Sequence, residues 1–127
     1  MIGNKIGKLG EDLAEKYLIN KGFKVLYRNY WKPYGEIDII CEKAGKTHFV
    51  EVKSVSVSLN NVSHENIRPE DNVHEAKLRK LARVIQVYIS AFHVKSWQFD
   101  VVIVYIDQVS KKAEVKVLEN QILEARN

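Results

Sequence analysis

Apolar residues recur along the first segment of the chain at the spacing of an amphipathic helix. Between about residues 5 and 21 they fall near every third or fourth position, and Gly22 stands where a helix would stop. A second apolar stripe follows a capping-box sequence, in which Asn72 is the cap and Glu75 reaches back to it. The stripe consists of Leu78, Leu81, Ala82, Ile85, Tyr88, Ile89 and Phe92. The pattern predicts two helices, each with one face toward a core.

Five further segments have the alternation or the apolar run of β-strands. They cover about residues 23–28, 36–42, 47–57, 97–106 and 113–118, with turns at residues 31–35 and at Ala44-Gly45. Residues 58–71 are polar and are predicted to form a loop of some mobility. The order α-β-β-β-α-β-β predicts an α/β fold with a mixed central sheet flanked by helices.

The size and composition are those of a single globular domain, which we expect to span residues 1–127. The longest apolar run, residues 101–106, is far too short to cross a bilayer, and the N-terminus lacks the apolar stretch of a secretory signal. Cys41 is the only cysteine, which excludes an internal disulfide and favours a reducing compartment. We therefore expect a cytoplasmic protein with no membrane segment.

The net charge of +4 is mild, and its distribution is more informative than its size. Residues 76–95 contain five basic side chains and no acidic one. Such a stripe could meet a polyanion, although composition alone favours a solvated helix face. The four histidines have no partners at ligand spacing, so a zinc site is not expected.

An acidic motif is divided between two neighbouring strands. Asp38 lies in the first strand, and Glu51 and Lys53 lie two residues apart in the second, so these two share a face. If Ala44-Gly45 is a two-residue hairpin loop, Asp38 falls directly opposite Glu51, whereas an odd-length loop or a bulge would move it. In that register one face carries Glu36, Asp38 and Ile40, and the opposite, core-like face carries Ile37, Ile39 and Cys41. Because opposed like charges destabilise a sheet, the pair suggests a cation between them.

The residue types of this motif suit metal-dependent phosphodiester cleavage. A hard cation such as Mg²⁺, held by Asp38 and Glu51, could polarise a phosphoryl oxygen and activate water. Lys53 could orient the attacking hydroxide or neutralise charge in the transition state. The alternative is an exposed strand face with surface salt bridges worth ~0–1 kcal/mol each. A further acid, Glu11, lies early on the first helix, where the helix dipole alone would explain it, and spacing cannot bring it to the strands.

Sequence fragments spread over most of the chain resemble the YraN family of bacterial proteins. They are Gly10-Glu11-Asp12-Leu13-Ala14, Lys21-Gly22-Phe23, Arg28-Asn29-Tyr30, Gly35-Glu36-Ile37-Asp38-Ile39-Ile40, Phe49-Val50-Glu51-Val52-Lys53, Asn72-Val73, Lys77 and Phe99-Asp100-Val101-Val102. That family is similar to the PD-(D/E)XK restriction-endonuclease-like nucleases, and especially to archaeal Holliday junction resolvases. The resemblance implies a restriction-endonuclease-like αβββαβ core. One departure is Ile37, which stands where the name-giving proline would be.

The resemblance also implies roles for individual residues. Asp38 takes the place of the motif aspartate, and Glu51 and Lys53 take the Glu-x-Lys positions. Glu11 takes the place of the helix acid found in the resolvase branch, and the backbone carbonyl of Val52 is a further expected metal ligand. The implied cofactor is Mg²⁺ or Mn²⁺.

The leading hypothesis is a metal-dependent endonuclease that acts on structured or branched DNA. Basic residues of the second helix are expected to contact phosphates, which positions DNA without reading its sequence. These residues are Lys77, Arg79, Lys80 and Arg83. A homodimer would suit branched DNA, because two scissile strands need two sites. Two alternatives stay open: a nucleic-acid-binding protein without catalysis, and a protein–protein adaptor that uses an apolar helix face.

Overall fold

The computed structural model describes residues 2–57 and 75–123 of the chain, and the side chains of residues 5–57 and 76–123. The elements are α1 (Ile2–Asn20), β1 (Lys24–Lys32), β2 (Gly35–Lys43), β3 (Lys46–Ser56), α2 (Glu75–Phe92), β4 (Trp97–Asp107) and β5 (Lys112–Leu118). Their order confirms the predicted α/β succession. The predicted loop at residues 58–71 and the predicted cap Asn72 lie outside the described residues.

The five strands form one mixed sheet in the order β1-β2-β3-β4-β5. β3 and β4 are parallel, and the other neighbours are antiparallel. A parallel pair needs a crossover connection, and α2 lies in the connection between β3 and β4. The mixed sheet is the one that the element order predicted, and the arrangement is consistent with the restriction-endonuclease-like αβββαβ core that the family resemblance implies.

Each face of the sheet carries its own apolar core. On one face, Phe99, Val101, Ile103 and Tyr105 of β4 pack with Leu81, Val84, Ile85 and Tyr88 of α2. On the other face, Val102, Val104 and Ile106 of β4 belong to the core that includes Ala14 and Leu18 of α1. β4 is therefore buried on both sides, which explains why its sequence is a continuous apolar run. None of the helices in the described residues is long and apolar enough to cross a membrane.

The hairpin between β2 and β3 has the loop length that the sequence predicted. Ala44 and Gly45 have φ values of 52° and 78°, and positive φ at both central residues is the requirement of a type I′ turn. The strands then pair Lys43 with Lys46 and continue to the pair Ile39–Val50. The even loop length is thus confirmed, and it decides which side chains of the two strands face each other.

The first hairpin differs from its prediction. β1 continues to Lys32, which pairs with Gly35, so the turn consists of Pro33-Tyr34 and not of residues 31–35. Proline has no backbone N–H to donate, and the two-residue loop places Pro33 where the sheet needs no donor. The predicted strand at residues 23–28 was therefore too short.

The prediction that Ile37 and Ile39 share a face was also wrong. Ile37 packs with Ile40 in the α2-side core, while Ile39 belongs to the α1-side core. Asn29 of β1 lies between the pairs Arg28–Ile39 and Tyr30–Ile37 and has a φ of 50°. This residue with a left-handed backbone conformation lies opposite Asp38, where the alternation of β2 is interrupted.

Candidate functional site

A cleft of about 410 Å³ opens where α1, β3 and Lys77 of α2 meet beside β2. Carboxyl groups of three residues and amino groups of two lie along it. Its lining residues are Ile6, Gly7, Glu11, Asp38, Glu51, Val52, Lys53, Ser54, Ser56 and Lys77. The structure thus brings together every residue that the sequence assigned to catalysis or metal binding, together with Lys77.

Glu51 is buried in the cleft, and Asp38 beside it is half-buried. The side chain of Glu51 is only 3% exposed, and Asp38 Oδ2 accepts a hydrogen bond of 2.8 Å from the backbone N–H of Val52. Within the described strands the β2–β3 pairing ends at Ile39–Val50, so the predicted pairing of Asp38 directly opposite Glu51 does not form. The Asp38 carboxylate instead accepts a hydrogen bond from the backbone N–H of Val52, the residue after Glu51. The carboxyl groups of Asp38 and Glu51 still converge in the cleft.

The crowding of these acids changes the protonation of Asp38. Burial raises the pKa of Asp38 from its usual 3.8 to about 8, with further upward contributions from the charges of Glu51 and Glu11 and from a hydrogen bond to Glu51. The hydrogen bond from Val52 lowers this pKa and offsets part of the rise. A positive ion between Asp38 and Glu51 would relieve the same repulsion.

Two lysines bring positive charge to Glu51. Lys77 of α2 forms an ion pair with Glu51 Oε1, and Lys53 Nζ lies 3.8 Å from the same oxygen. Burial and the neighbouring Lys77 ammonium lower the pKa of Lys53. Although burial opposes it, the pKa of Lys77 is raised because of its hydrogen bond and its attraction to Glu51. Glu51 is thus the centre of a network with two cations.

Glu11 reaches the cleft because α1 packs closely on β3. Gly10 is buried, and a Cβ added to it would lie 2.9 Å from Ser54 Cβ, so a glycine at this position allows the close approach. Burial raises the pKa of Glu11, and the negative charges of Glu36 and Glu51 add to the rise, while Arg28 opposes it. The tertiary packing therefore supplies the third acid, which spacing along the sequence could not place.

Two residues of β1 hold Glu11, and the sequence reasoning gave neither a role in the site. Arg28 Nη2 lies 3.6 Å from Glu11 Oε1, and the Arg28 guanidinium also bonds Asp12 and Glu15 at 3.2 Å each. With its amide nitrogen turned toward the acids, Asn29 donates to Glu11 at 2.8 Å and to Glu36 at 3.2 Å. In the sequence, Arg28 and Asn29 stood out only because the fragment Arg28-Asn29-Tyr30 is one of those that carry the family resemblance.

The four basic residues of α2 do not share one environment. Lys77 lines the cleft, and Lys80 lines a neighbouring depression of about 210 Å³ that also includes Asp38 and Glu51. Arg79 and Arg83 are exposed, and the Arg83 guanidinium lies 4.5 Å from the centre of the Tyr34 ring. The position of Lys77 could have been found from spacing, because it precedes the buried Leu81 by four residues and so shares its helix face.

The donor set fits a hard divalent cation. Among the described residues no three carboxylate, imidazole or thiol groups are arranged so that they could hold a metal together. Two carboxylates do converge, those of Asp38 and Glu51, and Val52 lines the same cleft. Mg²⁺ commonly binds through one or two carboxylates and keeps several water or phosphate oxygens. The oxygen-rich cleft suits such an ion better than it suits zinc, which prefers nitrogen and sulfur ligands.

These features define an α/β protein with a restriction-endonuclease-like core and an acidic cleft between its helices. The model of a family described as "Uncharacterised protein family UPF0102" matches residues 10–104. The chain belongs to this family, which is the YraN family that its sequence fragments resemble.

Relatives from several bacteria match most of the chain. A UPF0102 protein of Caldanaerobacter subterraneus is 36% identical over 107 residues, which cover 80% of each chain. Those of Persephonella marina and Campylobacter lari are 38% and 35% identical, and the matches cover 76% and 90% of this chain and 79% and 90% of theirs. The family resemblance seen in the sequence is thereby confirmed.

Proposed function

We propose that this protein is a metal-dependent endonuclease that hydrolyses phosphodiester bonds in structured or branched DNA, with Mg²⁺ or Mn²⁺ as its cofactor. The observation that carries the proposal is the convergence of Asp38 and Glu51 in a cleft with Lys53 beside them. Two neighbouring carboxylates repel each other in a folded protein, and a divalent cation bound between them would remove this repulsion.

Asp38, Glu51 and the backbone carbonyl of Val52 would hold the ion, whereas Glu11, which lines the same cleft without forming a three-acid cluster with them, would act through a water of the ion. When bound, the ion would supply Lewis-acid activation of a phosphoryl oxygen and of water. Arg28 and Asn29 orient Glu11 toward the cleft and keep its charge compensated. The protein thus offers oxygen donors on one side and leaves the open side of the cleft to the substrate.

Lys53 is suited to act on the attacking water or on the developing negative charge. Its side chain is 21% exposed, and its ammonium lies at the edge of the carboxylate pair. Burial lowers its pKa, which favours exchange of a proton between Lys53 and a nearby water. In its charged form Lys53 stabilises charge that grows on the phosphoryl oxygens.

The exposed side of α2 provides the contacts to DNA in this proposal. Arg79, Lys80 and Arg83 project from one helix next to the cleft, and Lys80 also lines the depression beside Asp38. Phosphate contacts from these residues would position the duplex over the carboxylates without reading its sequence. Cutting both strands of a branched substrate would require two copies of the site, and hence a homodimer on the DNA.

The test is cleavage of four-way junction, flap and linear DNA with Mg²⁺ or Mn²⁺. Asp38→Ala and Glu51→Gln should lose activity by about 10²-fold or more, because each removes a donor for the ion. Glu42→Gln is the matched control, since Glu42 is an exposed acid of β2 outside the cleft. If the wild type and Asp38→Ala are equally inactive on all three substrates, the nuclease proposal fails.

The second candidate is a nucleic-acid-binding protein without catalysis. The ion pair between Lys77 and Glu51 favours it, because that contact already neutralises Glu51 with a side chain. This candidate predicts DNA binding that needs no metal and falls with salt, with a slope of log K against log [salt] of about −0.9 per phosphate neutralised. Metal-independent affinity without cleavage, and without Mn²⁺ binding, would favour it over the nuclease.

A further inference from the structure

The position of Lys77 in the cleft is unusual for a lysine. Lys77 lies near the N-terminal end of the described part of α2. Its ammonium reaches Glu51, and the ammonium of Lys53 lies near the same carboxylate oxygen. The attraction of the buried Glu51 must therefore outweigh the repulsion between the two ammonium groups.

The two lysines differ in how easily they could leave the cleft. The side chain of Lys77 is 44% exposed, whereas that of Lys53 is 21% exposed. The stem of Lys77 thus comes from the solvent side, and rotation of its side chain would carry the ammonium out of the cleft without a movement of the backbone. Lys53 projects from the central part of the sheet and has no comparable freedom.

We propose that Lys77 is a tethered cation that holds the place of the divalent ion, so that Lys77 and the metal occupy the carboxylate pair as alternatives. This inference rests on the proposed metal-dependent function for the identity of the competing ion. A divalent charge next to Glu51 would repel both ammonium groups, and the more exposed one would be displaced. Lys77 stabilises the metal-free protein and lowers its affinity for metal.

The displaced ammonium then has a second use. Lys77 lines the mouth of the cleft together with the residues that would hold the ion. Once separated from Glu51, it would be available to bind a phosphate oxygen of the substrate as a mobile point charge. Metal binding and phosphate binding would therefore favour each other, since the ion frees the side chain that contacts the phosphate.

The test measures binding of Mn²⁺ alone to the full chain by calorimetry and by electron paramagnetic resonance. Lys77→Met should tighten Mn²⁺ binding on the order of tenfold, because the competing ammonium is gone. Lys77→Arg keeps a cation at this position and should stay close to the wild type. Lys95→Met is the matched control, since it removes an exposed charge beyond the end of α2. Circular dichroism establishes that each variant is folded.

The outcomes separate this inference from the nuclease proposal. If the wild type and folded Lys77→Met bind Mn²⁺ with equal affinity, the proposal that Lys77 and the metal occupy the carboxylate pair as alternatives is overturned, whether or not the protein cuts DNA. Tighter Mn²⁺ binding by Lys77→Met supports the competition between Lys77 and the metal. If the wild type with Mn²⁺ bound also cleaves none of the DNA substrates, that result refutes the nuclease proposal alone. If neither variant binds Mn²⁺, both proposals are overturned.

Discussion

The substitution Asp38→Asn should make the metal-free protein more stable at alkaline pH, even though it removes a residue of the proposed active site. The two side chains have nearly the same shape, so the carbonyl oxygen of the new amide could still accept the hydrogen bond that Asp38 receives from Val52. The amide nitrogen could donate to Glu51, where the aspartate brings a second negative charge. The substitution therefore removes the repulsion and keeps the hydrogen bonds.

The magnitude follows from the raised pKa of Asp38. The difference between 3.8 and about 8 corresponds to an upper limit of about 6 kcal/mol at 1.36 kcal/mol per pH unit. Because Asp38 is only partly buried and Glu51 has lysine partners, we expect about 1–3 kcal/mol. For a domain of this size, 1 kcal/mol shifts the melting temperature by roughly 4 °C.

The sign and the pH window follow from the two states of the carboxyl group. Between about pH 4 and pH 8 the folded protein binds the Asp38 proton more tightly than the unfolded chain does, so this group lowers the free energy of unfolding as the pH rises through that window. Above about pH 8 Asp38 is ionised in both states, and its lowering of the free energy of unfolding is complete. The asparagine side chain does not titrate, and the advantage of Asp38→Asn should therefore grow from near zero at pH 4 to its full size at pH 9.

Urea unfolding in the presence of a chelator, at pH 4.5, 6.5 and 9, measures this difference directly. Titrating groups far from the site contribute equally to both proteins, so the difference between the two curves isolates Asp38 together with the neighbours whose charge it influences. Glu42→Gln, on the exposed part of the same strand, should show no such trend. A difference that does not change with pH, or an Asp38→Asn protein that is less stable at pH 9, would refute the account of carboxylate repulsion.

Two further predictions concern the packing around the site. Gly10→Ala should destabilise the protein by about 1–3 kcal/mol in urea unfolding, because the added Cβ would lie 2.9 Å from Ser54 Cβ and push α1 away from β3. Gly7→Ala is its matched control on the same helix, with nothing within 4 Å, and should stabilise by about 0.5–1 kcal/mol; equal effects of the two changes would contradict the close approach. Asp100→Ala should cost about 3–5 kcal/mol in thermal unfolding, because Asp100 is 4% exposed and accepts bonds from His48, Gln98 and the backbone of Asn120. A loss below about 1 kcal/mol would show that this buried network contributes little.

Local pattern was sufficient for most of the fold. The spacing of apolar residues predicts both helices, and the alternation and apolar runs predict all five strands, because burial of one face is a property of each segment. The Ala44-Gly45 loop also predicts the register of β2 and β3, since a two-residue loop leaves one pairing. The end of β1 was missed because Trp31 and Lys32 look like turn residues until their pairing with β2 is known.

The site depended on contacts that the sequence does not contain. The same face for Glu51 and Lys53 follows from strand geometry, and the even loop brings Asp38 near them. Local pattern alone placed Glu36, Asp38 and Ile40 on the face opposite Ile37, but Ile37 packs in the same core as Ile40, so the alternation of β2 is interrupted. The pairing of β2 and β3 ends one residue before Asp38, and its side chain bonds Val52 instead.

The amino-acid sequence was enough to locate the helices and strands, the register of the β2–β3 hairpin, and the acids and the lysine of the divided motif. The tertiary structure decided that Glu11 joins them, because α1 approaches β3 at Gly10 and Ser54. Spacing places Lys77 on the helix face of Leu81, but only the tertiary structure shows that its partner is Glu51. Periodicity reports burial within one segment, whereas the distance between two segments is set by the packing of all the others.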